Sequence, residues 1–417
     1  MANQISKKIL VAGYYGFGNT GDETILTAML AEFRKQRKDL DFTVVSGNPT
    51  ETILLHKVKS ISWTDTQSIY DAIQRSDLVL VGGGGIFHDQ FGFKEDFLLT
   101  QNHAGIAYFS GFPLLAAMHR KSTMLYAVGV GPLETEPGKK LTKISFGIAN
   151  IVTVRDFESF EIIKKYDLPD LNIRVTADPA FCLNPDKDKA QQVLLANNLP
   201  KTKNTPIIAV CPRYWDINVS PDEWQTLLAN ALDEFINEVN GEILFIPFQN
   251  LEATPDVNDL AVAINIREKM KNKDQSTILI KEYPPEISAG IIASCDFVIG
   301  MRYHSLIFSI ISATPLVGLV YDPKVLHLLK QTGMEEYSIN LESLSLEKLQ
   351  QTLRNAWAGK DKNISKLSNA SVSLRESAKE STTLALQLLD EQIPGNRRNV
   401  SVDFLWELAA RQTYALA

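Results

Sequence analysis

The alternation of short apolar runs with amphipathic segments is the feature that most constrains the fold of this chain. Runs rich in valine, isoleucine and leucine recur from Ile9 to Val320, and segments with helical periodicity, such as Thr24–Lys38 and Asp156–Tyr166, separate them. This alternation is typical of parallel sheets covered by helices on both faces. The sequence therefore predicts an α/β protein with two Rossmann-like halves. The predicted strands are Ile9–Ala12, Phe42–Val45, Leu78–Val81, Met124–Val128, Val152–Val154, Ile173–Val175, Ile207–Val210, Ile243–Ile246, Thr277–Ile280, Phe297–Ile299 and Leu316–Val320.

The domain organisation follows from where this alternation is interrupted. A chain of 417 residues is too long for one ordinary domain, and the polar stretch from Asn184 to Asn204 separates the two series of strands. After Asn340 the pattern is purely helical, over Leu346–Ala358, Lys366–Leu389 and Phe404–Tyr414. We predict an N-terminal lobe at 1–190, a C-terminal lobe at 200–360 and a helical tail at 361–417. Composition leaves open whether the tail packs back on the N-terminal lobe, mediates oligomerisation or contacts a membrane.

Composition excludes several classes of protein and points to a compartment. The formal net charge of −7 argues against a broad nucleic-acid-binding face, so any anionic ligand must be held by a local cluster of cations. The three cysteines lie far apart without metal-ligand spacing, and the histidines form no such spacing either, so no metal site is expected. The N-terminus lacks a signal peptide and no apolar run reaches about 18 residues, which together predict a cytoplasmic protein.

Cationic and polar residues follow the strands of the second half. Arg213, Arg302 and Lys324 each come shortly after a predicted strand, as does His304. Because ligands of open α/β sheets bind beyond the carboxyl ends of the strands, we expect these side chains to converge on one edge. The sequence thus predicts an anion-binding site in the C-terminal half.

Several residues of the predicted anion site lie close together in the segment GMRYHSLIF. We expect a helix to begin near His304–Ser305, with Ser305 as its cap, and backbone N–H groups at a helix start favour an anion. Arg302 offers a planar fork suited to phosphate or carboxylate. His304 can bind an anion and move a proton near neutral pH.

The glycine-rich segments of the first half favour a sugar over a dinucleotide. Gly13, Gly16, Gly18 and Gly21 lack the G-x-G-x-x-G spacing, and no acidic residue follows the second strand to hold an adenosine ribose. The loop instead mixes aromatic rings with amide, hydroxyl and carboxylate groups, which suits the apolar faces and polar rim of a sugar. A glycine turn leading to a helix capped by Thr20 or Asp22 is the alternative. The run Gly82–Gly85 predicts a second close-approach turn, and the segment TVRD places Arg155 at a similar strand end.

The order of these motifs resembles a known family. GYYGFGNTGDE, VGGGG, VGVGP, TVRD, ADPAF and GMRYHSLIF follow one another between Ile9 and Lys324 as in polysaccharide pyruvyl transferases, especially the CsaB-like branch. The resemblance implies a two-lobed GT-B-like fold with a helical tail, and transfer of the enolpyruvyl group of phosphoenolpyruvate to a sugar as a cyclic ketal. In that branch the acceptor is commonly O4 and O6 of an N-acetylmannosamine unit in a lipid-linked cell-wall precursor whose pyruvate later anchors surface-layer proteins.

The resemblance also implies roles for individual residues. The first lobe would bind the acceptor and the second the donor, with phosphoenolpyruvate as co-substrate and no cofactor. The chemistry of that reaction, and not the resemblance itself, assigns catalysis to His304, Arg302 and Asp22, with Glu23 as the alternative base. Donor binding is assigned to Arg213, Arg302, Tyr303, His304, Ser305, Lys324 and Arg155. Acceptor binding is assigned to Tyr14, Gly16, Phe17, Gly18, Asn19, Thr20, Asp22, Gly84 and Gly85. Tyr303 stands where the family usually has leucine, so its expected contribution is its backbone N–H.

Two other functions fit parts of the same sequence. A GT-B glycosyltransferase would share the fold and the glycine turns, but it would bind a nucleotide sugar in the second lobe, with Asp322 reading the ribose. A carbohydrate-binding or assembly protein would not need the cations at Arg302 and Lys324. Peripheral contact with the inner face of a membrane and an oligomeric state are compatible with all three readings.

Overall fold

The computed structural model describes residues 6–90, 92–94, 97–99, 105–166, 173–200, 202, 204–250 and 258–390. These residues form two compact units. Unit 1 consists of the described residues within 1–17, 25–182 and 376–417. Unit 2 consists of Gly18–Thr24 together with the described residues of Leu183–Arg375. The chain therefore enters unit 2 briefly at the first glycine-rich motif, long before the main part of that unit begins.

Unit 1 is built on a seven-stranded parallel sheet with the order β3-β2-β1-β4-β5-β6-β7. Its core lies between this sheet and helices whose apolar residues are buried against it, and ten of the fourteen residues of α4 are buried. The strands are β1 (Lys7–Ala12), β2 (Leu40–Ser46), β3 (Lys59–Ser62), β4 (Leu78–Phe87), β5 (Ser122–Val130), β6 (Ile151–Val154) and β7 (Ile173–Val175). The helices are α1 (Thr20–Gln36), α2 (Pro49–His56), α3 (Thr66–Arg75), α4 (Gly105–Met118), α5 (Glu136–Ile148) and α6 (Phe157–Lys164), with the first residues of α1 in unit 2.

Two features of unit 1 differ from the sequence prediction. The run Gly82–Gly85 is not a turn after a strand but part of β4, which pairs with β5 beyond the glycines. The glycines suit this strand because Gly82, Gly83 and Gly84 have positive φ angles of 134°, 74° and 93°. The strand β3 was not predicted, because its sequence KSIS has too few apolar residues to stand out.

Unit 2 contains a six-stranded parallel sheet with the order β10-β9-β8-β11-β12-β13. Its strands are β8 (Ile207–Cys211), β9 (Glu242–Phe245), β10 (Ser276–Ile278), β11 (Phe297–Gly300), β12 (Leu316–Val320) and β13 (Ser338–Asn340). Its helices are α7 (Lys187–Ala196), α8 (Pro221–Val239), α9 (Asp259–Lys269), α10 (Pro285–Ile292), α11 (Tyr303–Ser312), α12 (Pro323–Gln331) and α13 (Leu346–Ala358). The central strands β8, β11 and β12 are fully buried, which explains their continuous apolar sequences.

The last described helix is α14 (Lys360–Asp390), and it contributes to both units along its length. In unit 2, Arg375 donates a hydrogen bond to the carbonyl of Leu183 at 3.0 Å. In unit 1, the Thr382 hydroxyl lies 2.7 Å from the Tyr126 hydroxyl, and both groups are buried. The predicted helix Phe404–Tyr414 lies outside the described residues. No helix in the described part of the chain has the length and apolar content needed to cross a bilayer.

Candidate active site

The predicted donor-binding residues of the second half lie at the carboxyl edge of the unit 2 sheet. Four neighbouring strands, β9, β8, β11 and β12, end at this edge, and the residues that follow them come together there. Gly300 at the end of β11 pairs with Cys211 of β8 on one side and with Gly318 of β12 on the other. The residues after β8 and β12 therefore flank the start of α11.

Arg302 is held by a buried carboxylate that sequence reasoning did not identify. Its Nε and one terminal nitrogen donate to the two oxygens of Asp259 at 2.7 and 2.6 Å. Arg302 is 7% exposed and Asp259 is completely buried. Burial by itself lowers the pKa of the Arg302 guanidinium, but Asp259 outweighs it and the pKa lies above its ordinary value. Arg302 is thus fixed in place, with part of its hydrogen-bonding capacity already used.

Asp259 also organises the loop after β9. Its Oδ2 accepts hydrogen bonds from the backbone N–H groups of Phe248 and Gln249, at 3.0 and 3.1 Å. The carbonyl of Phe248 in turn accepts from the N–H of Thr20 at 2.9 Å. One buried carboxylate therefore joins the end of β9, the arginine after β11 and, through one further bond, the first glycine-rich motif.

Arg213 is held in a different way, by aromatic rings. Its guanidinium carbon lies 5.0 Å from the ring centre of Tyr321 and 5.5 Å from that of Trp215. One terminal nitrogen donates to the Tyr321 hydroxyl at 3.1 Å. Among the described residues Arg213 has no carboxylate partner, and its Nε is buried without a hydrogen bond. Aromatic contacts orient the guanidinium without neutralising it, so Arg213 retains its charge for an anion.

Lys324 also lies near Tyr321 and is paired with a carboxylate. Its Nζ is 3.1 Å from Asp322 Oδ2 and 5.4 Å from the ring centre of Tyr321. Asp322 is the N-cap of α12 and accepts from the Lys324 backbone N–H at 3.0 Å. Two of the three predicted cations, Arg302 and Lys324, are therefore balanced by a carboxylate. Of the three, Arg213 alone has no carboxylate partner in the described part of the chain.

His304 packs against the first glycine-rich motif. A Cβ placed on Gly21 would lie 2.2 Å from His304 Nδ1, so only glycine allows the two segments to approach this closely. Asn19 supports the same turn, since its Oδ1 accepts from the Gly21 N–H at 2.9 Å and its Nδ2 donates to Gln249 at 3.4 Å. Asp22 lies in the first turn of α1, where its charge contributes to the raised pKa of Arg302. The structure thus brings Gly18–Asp22 together with His304 and Arg302 in unit 2.

The start of α11 differs in detail from its prediction. The helix begins at Tyr303, and its N-cap is Arg302, not Ser305. The Ser305 hydroxyl is fully buried and donates to the carbonyl of Arg302 at 2.5 Å, because it stands in the first turn and not before it. Tyr303 is buried with its ring 5.4 Å from the His304 ring.

The aromatic residues predicted for the acceptor form a cluster in unit 1. Tyr14 and Phe17 stack with ring centres 4.4 Å apart, and Phe17 meets the edge of Trp63 at 4.5 Å. Phe17 lies over Gly47, where a Cβ would come within 2.4 Å of its ring. All three rings are partly exposed. Trp63 follows β3, and because the sequence does not predict that strand, Trp63 is absent from the predicted acceptor residues.

The other predicted residues of unit 1 occupy more varied positions. Gly16 has a φ of 79° and packs against Ser46 and Asn48 after β2. Gly84 is buried within β4, whereas Gly85 is exposed. Arg155 is buried and forms ion pairs with Asp178 at 3.3 Å and with Asp156 at 3.4 Å. Arg155 is the only predicted donor ligand that belongs to unit 1, and its assignment stays a prediction.

Solved structures with the same architecture are distant in sequence. A putative UDP-N-acetylglucosamine 2-epimerase from Listeria monocytogenes has a TM-score of 0.63 at 12% identity, covering 93% of this chain and 97% of that one. Anabaena Alr3699/HepE, solved with UDP, has a TM-score of 0.61 at 9% identity, covering 92% of this chain and 100% of that one. At such identities the likeness shows the fold alone, which is GT-B-like as predicted.

Sequence comparison is more specific. The amylovoran biosynthesis protein AmsJ of Erwinia amylovora is 23% identical over 384 residues, covering 81% of this chain and 89% of the relative. The model of the family described as polysaccharide pyruvyl transferase matches residues 19–323. That match runs from Asn19 to the start of α12 and so includes Arg213, Arg302 and His304 of the unit 2 edge, and it ends one residue before Lys324. The chain belongs to the polysaccharide pyruvyl transferase family.

Proposed function

We propose that this protein transfers the enolpyruvyl group of phosphoenolpyruvate to two hydroxyls of a sugar, forming a pyruvate ketal and releasing phosphate. The observation that carries the proposal is the placement of Arg213, Arg302, His304 and Lys324 at adjacent strand ends around the start of α11. Phosphoenolpyruvate carries about three negative charges near neutral pH, on a phosphate and a carboxylate close together. A cluster of cations beside the positive end of a helix is suited to such a ligand.

Each cation of this edge would contribute to donor binding in a different way. Arg213 has no carboxylate partner among the described residues, so it would supply most of the net attraction for the donor. Arg302 is fixed by Asp259 and would contribute direction, through the donors that Asp259 does not use. Lys324 would exchange part of its contact with Asp322 for the ligand. Each charge-assisted hydrogen bond contributes about 1.5–3 kcal/mol.

The proposed chemistry begins with protonation of the methylene carbon, which gives the central carbon oxocarbenium character. One sugar hydroxyl attacks that carbon, phosphate leaves, and a second hydroxyl closes the ketal. His304 is the proposed acid for the carbon, because it lies at the start of α11 beside Arg302. Asp22 in the first turn of α1 is the proposed base for an attacking hydroxyl.

The proposed acceptor is a hexose or hexosamine unit of a cell-wall or exopolysaccharide glycan, with O4 and O6 of N-acetylmannosamine in a lipid-linked precursor as the first candidate. The partly exposed rings of Tyr14, Phe17 and Trp63 offer apolar surface for a sugar face. Trp63 would extend the acceptor surface formed by the predicted residues Tyr14 and Phe17. The decisive assay incubates the protein with phosphoenolpyruvate and a panel of undecaprenyl-linked and free glycans. Phosphate release must accompany a pyruvyl mass gain on one acceptor, and release without mass gain would contradict the proposal.

Donor binding gives a test that needs no acceptor. Phosphoenolpyruvate at a hundred times its Kd is expected to stabilise the protein by about 2.7 kcal/mol, seen as a rise in Tm. The variant Arg213→Ala should lose most of this rise because it removes the unneutralised cation. Arg354→Ala, which removes an exposed arginine paired with Glu238 in the same unit, should keep it. Stabilisation by UDP-sugars and not by phosphoenolpyruvate would favour a nucleotide-sugar glycosyltransferase instead.

The contact between Gly21 and His304 yields a second prediction. In Gly21→Ala the new methyl group would lie 2.2 Å from His304 Nδ1, so the imidazole must move. Alanine favours a helix by about 1 kcal/mol, which offsets part of the cost of moving the imidazole, so the variant should still fold. We expect turnover to fall about a hundredfold, as for other misplaced catalytic groups. Phosphate release and thermal unfolding of the same sample check both parts, and full activity would show that His304 has room to move.

A further inference from the structure

The proposed reaction needs two protons delivered to two different atoms, and the following inference rests on that proposed function. Two sugar hydroxyls lose their protons when the ketal forms. One proton ends on the methylene carbon, which becomes a methyl group, and the other ends on the departing phosphate. His304, at the start of α11, can serve only one of these atoms at a time. A second proton donor beside the donor site would let both transfers proceed without His304 serving two atoms.

The sheet order places the Tyr321 hydroxyl where such a donor would act. Strands β8 and β12 are the two neighbours of β11, about 10 Å apart across it. Arg213 follows β8 and Tyr321 follows β12, yet the Arg213 guanidinium reaches the Tyr321 hydroxyl at 3.1 Å. The two side chains therefore meet in front of the end of β11, where Arg302 is the N-cap of α11.

The hydrogen bond from Arg213 also fixes the role that the hydroxyl can play. Arg213 is always a donor, so the Tyr321 oxygen is the acceptor in this contact. The hydroxyl proton is then directed to some other acceptor. Lys324 Nζ lies 5.4 Å from the Tyr321 ring centre, and the Arg213 guanidinium carbon lies 5.0 Å from it. These cations would stabilise the phenolate left after the proton is given away.

We propose that the Tyr321 hydroxyl donates a proton to the phosphate as it leaves the central carbon. The bond between that carbon and the ester oxygen breaks, its electron pair stays on the oxygen, and the phenolic proton moves to that oxygen. The phenolate then takes up a proton that the second sugar hydroxyl releases on closing the ketal. The atoms balance without an oxidant, a reductant or a further co-reactant.

The electrostatic surroundings of Tyr321 agree with this role. Partial burial by itself raises the pKa of the Tyr321 phenol, but Lys324 and Arg213 outweigh it and the pKa lies below its ordinary value. Because the acid is active when protonated, turnover should fall as the pH rises through this lowered pKa. The charged groups that act on the phenol are Lys324, Arg213, Asp322 and Arg302.

The test compares Tyr321→Phe with Tyr337→Phe, a control that removes the hydroxyl of another tyrosine in unit 2. In Tyr321→Phe we expect kcat for phosphate release to fall about a hundredfold. The affinities for phosphoenolpyruvate and for inorganic phosphate, measured by thermal shift, should stay within about threefold of the wild type, since the cations remain. The alkaline decline of the pH–rate profile should be absent in this variant, and Tyr337→Phe should behave as the wild type.

A second measurement needs no glycan. Ultraviolet titration of the wild type should show a tyrosine that ionises earlier than the others, and inorganic phosphate should raise its pKa because a bound anion disfavours phenolate. Tyr321→Phe should lack this early transition. If the variant turns over within about threefold of the wild type, or loses only donor affinity, the proton-donor role is overturned. If the wild type binds neither phosphoenolpyruvate nor inorganic phosphate, the proposed function fails together with this inference.

Discussion

Replacing His304 with alanine is expected to lower the turnover of phosphoenolpyruvate about a thousandfold, within the range for removal of a general acid. The affinity for phosphoenolpyruvate should change little, because Arg213, Arg302 and Lys324 remain in place. The change should thus appear in kcat and not in KM, the pattern of an interaction made only in the transition state. Phosphate release gives kcat and KM, and thermal shift with phosphoenolpyruvate gives the affinity.

His327 supplies a matched control for this experiment. It lies in α12 of the same unit and is partly buried, as His304 is. His327→Ala should keep turnover close to that of the wild type. Equal losses in the two variants would mean that the effect of His304→Ala comes from general destabilisation. Unchanged turnover in His304→Ala would remove His304 from the mechanism.

Replacing Asp259 with asparagine is expected to destabilise the protein and weaken donor binding together. The change leaves the buried guanidinium of Arg302 without its counter-ion, and breaking a buried pair in this way costs about 3–5 kcal/mol. The loss should appear as a lower free energy of unfolding in denaturant. Arg302 would also lose its fixed direction, so we expect KM for phosphoenolpyruvate to rise and turnover to fall about tenfold or more.

The variant Asp233→Asn is a control that separates the loss of stability from the loss of donor binding. Asp233 is a buried carboxylate of unit 2 that accepts backbone N–H bonds from Lys271 and Asn272 at 2.7 and 2.9 Å, much as Asp259 accepts from Phe248 and Gln249. It forms no ion pair with an arginine in the described part of the chain. Asp233→Asn should lose about 1–3 kcal/mol of stability while keeping donor affinity. If Asp259→Asn keeps donor affinity as well, Arg302 does not depend on Asp259 for its direction.

The sequence predicts which side chains gather at the edge of the unit 2 sheet, because ligands of such sheets bind beyond the carboxyl ends of the strands. Arg213, Arg302, His304 and Lys324 each follow a strand with an unmistakably apolar sequence, and parallel strands end at a common edge. The helix α13 was predicted with its observed bounds, since its apolar residues keep helical spacing and Ser345 caps it. Such features are local or nearly so, and a single sequence carries them.

The missed features depend on contacts between distant segments. Asp259 is the first residue of α9, which resembles any acidic helix start until Arg302 is seen to reach it from 43 residues away. Trp215 matters to the site because its ring lies beside the Arg213 guanidinium, and the sequence alone does not show this contact. The pairing of Lys324 with Asp322 changed the expected charge of the edge, because counting cations along the sequence does not count the carboxylates that neutralise them.

Unit 2 cannot be produced in full as one continuous fragment of its main part, because Gly18–Thr24 belongs to it as well. A recombinant fragment covering 183–375 would lack the backbone N–H that Phe248 accepts and the glycine that abuts His304. Such a fragment would expose the imidazole and leave a carbonyl of the β9 loop to the solvent. Supplying a peptide of residues 18–24 in trans, or grafting it by circular permutation, would restore those contacts.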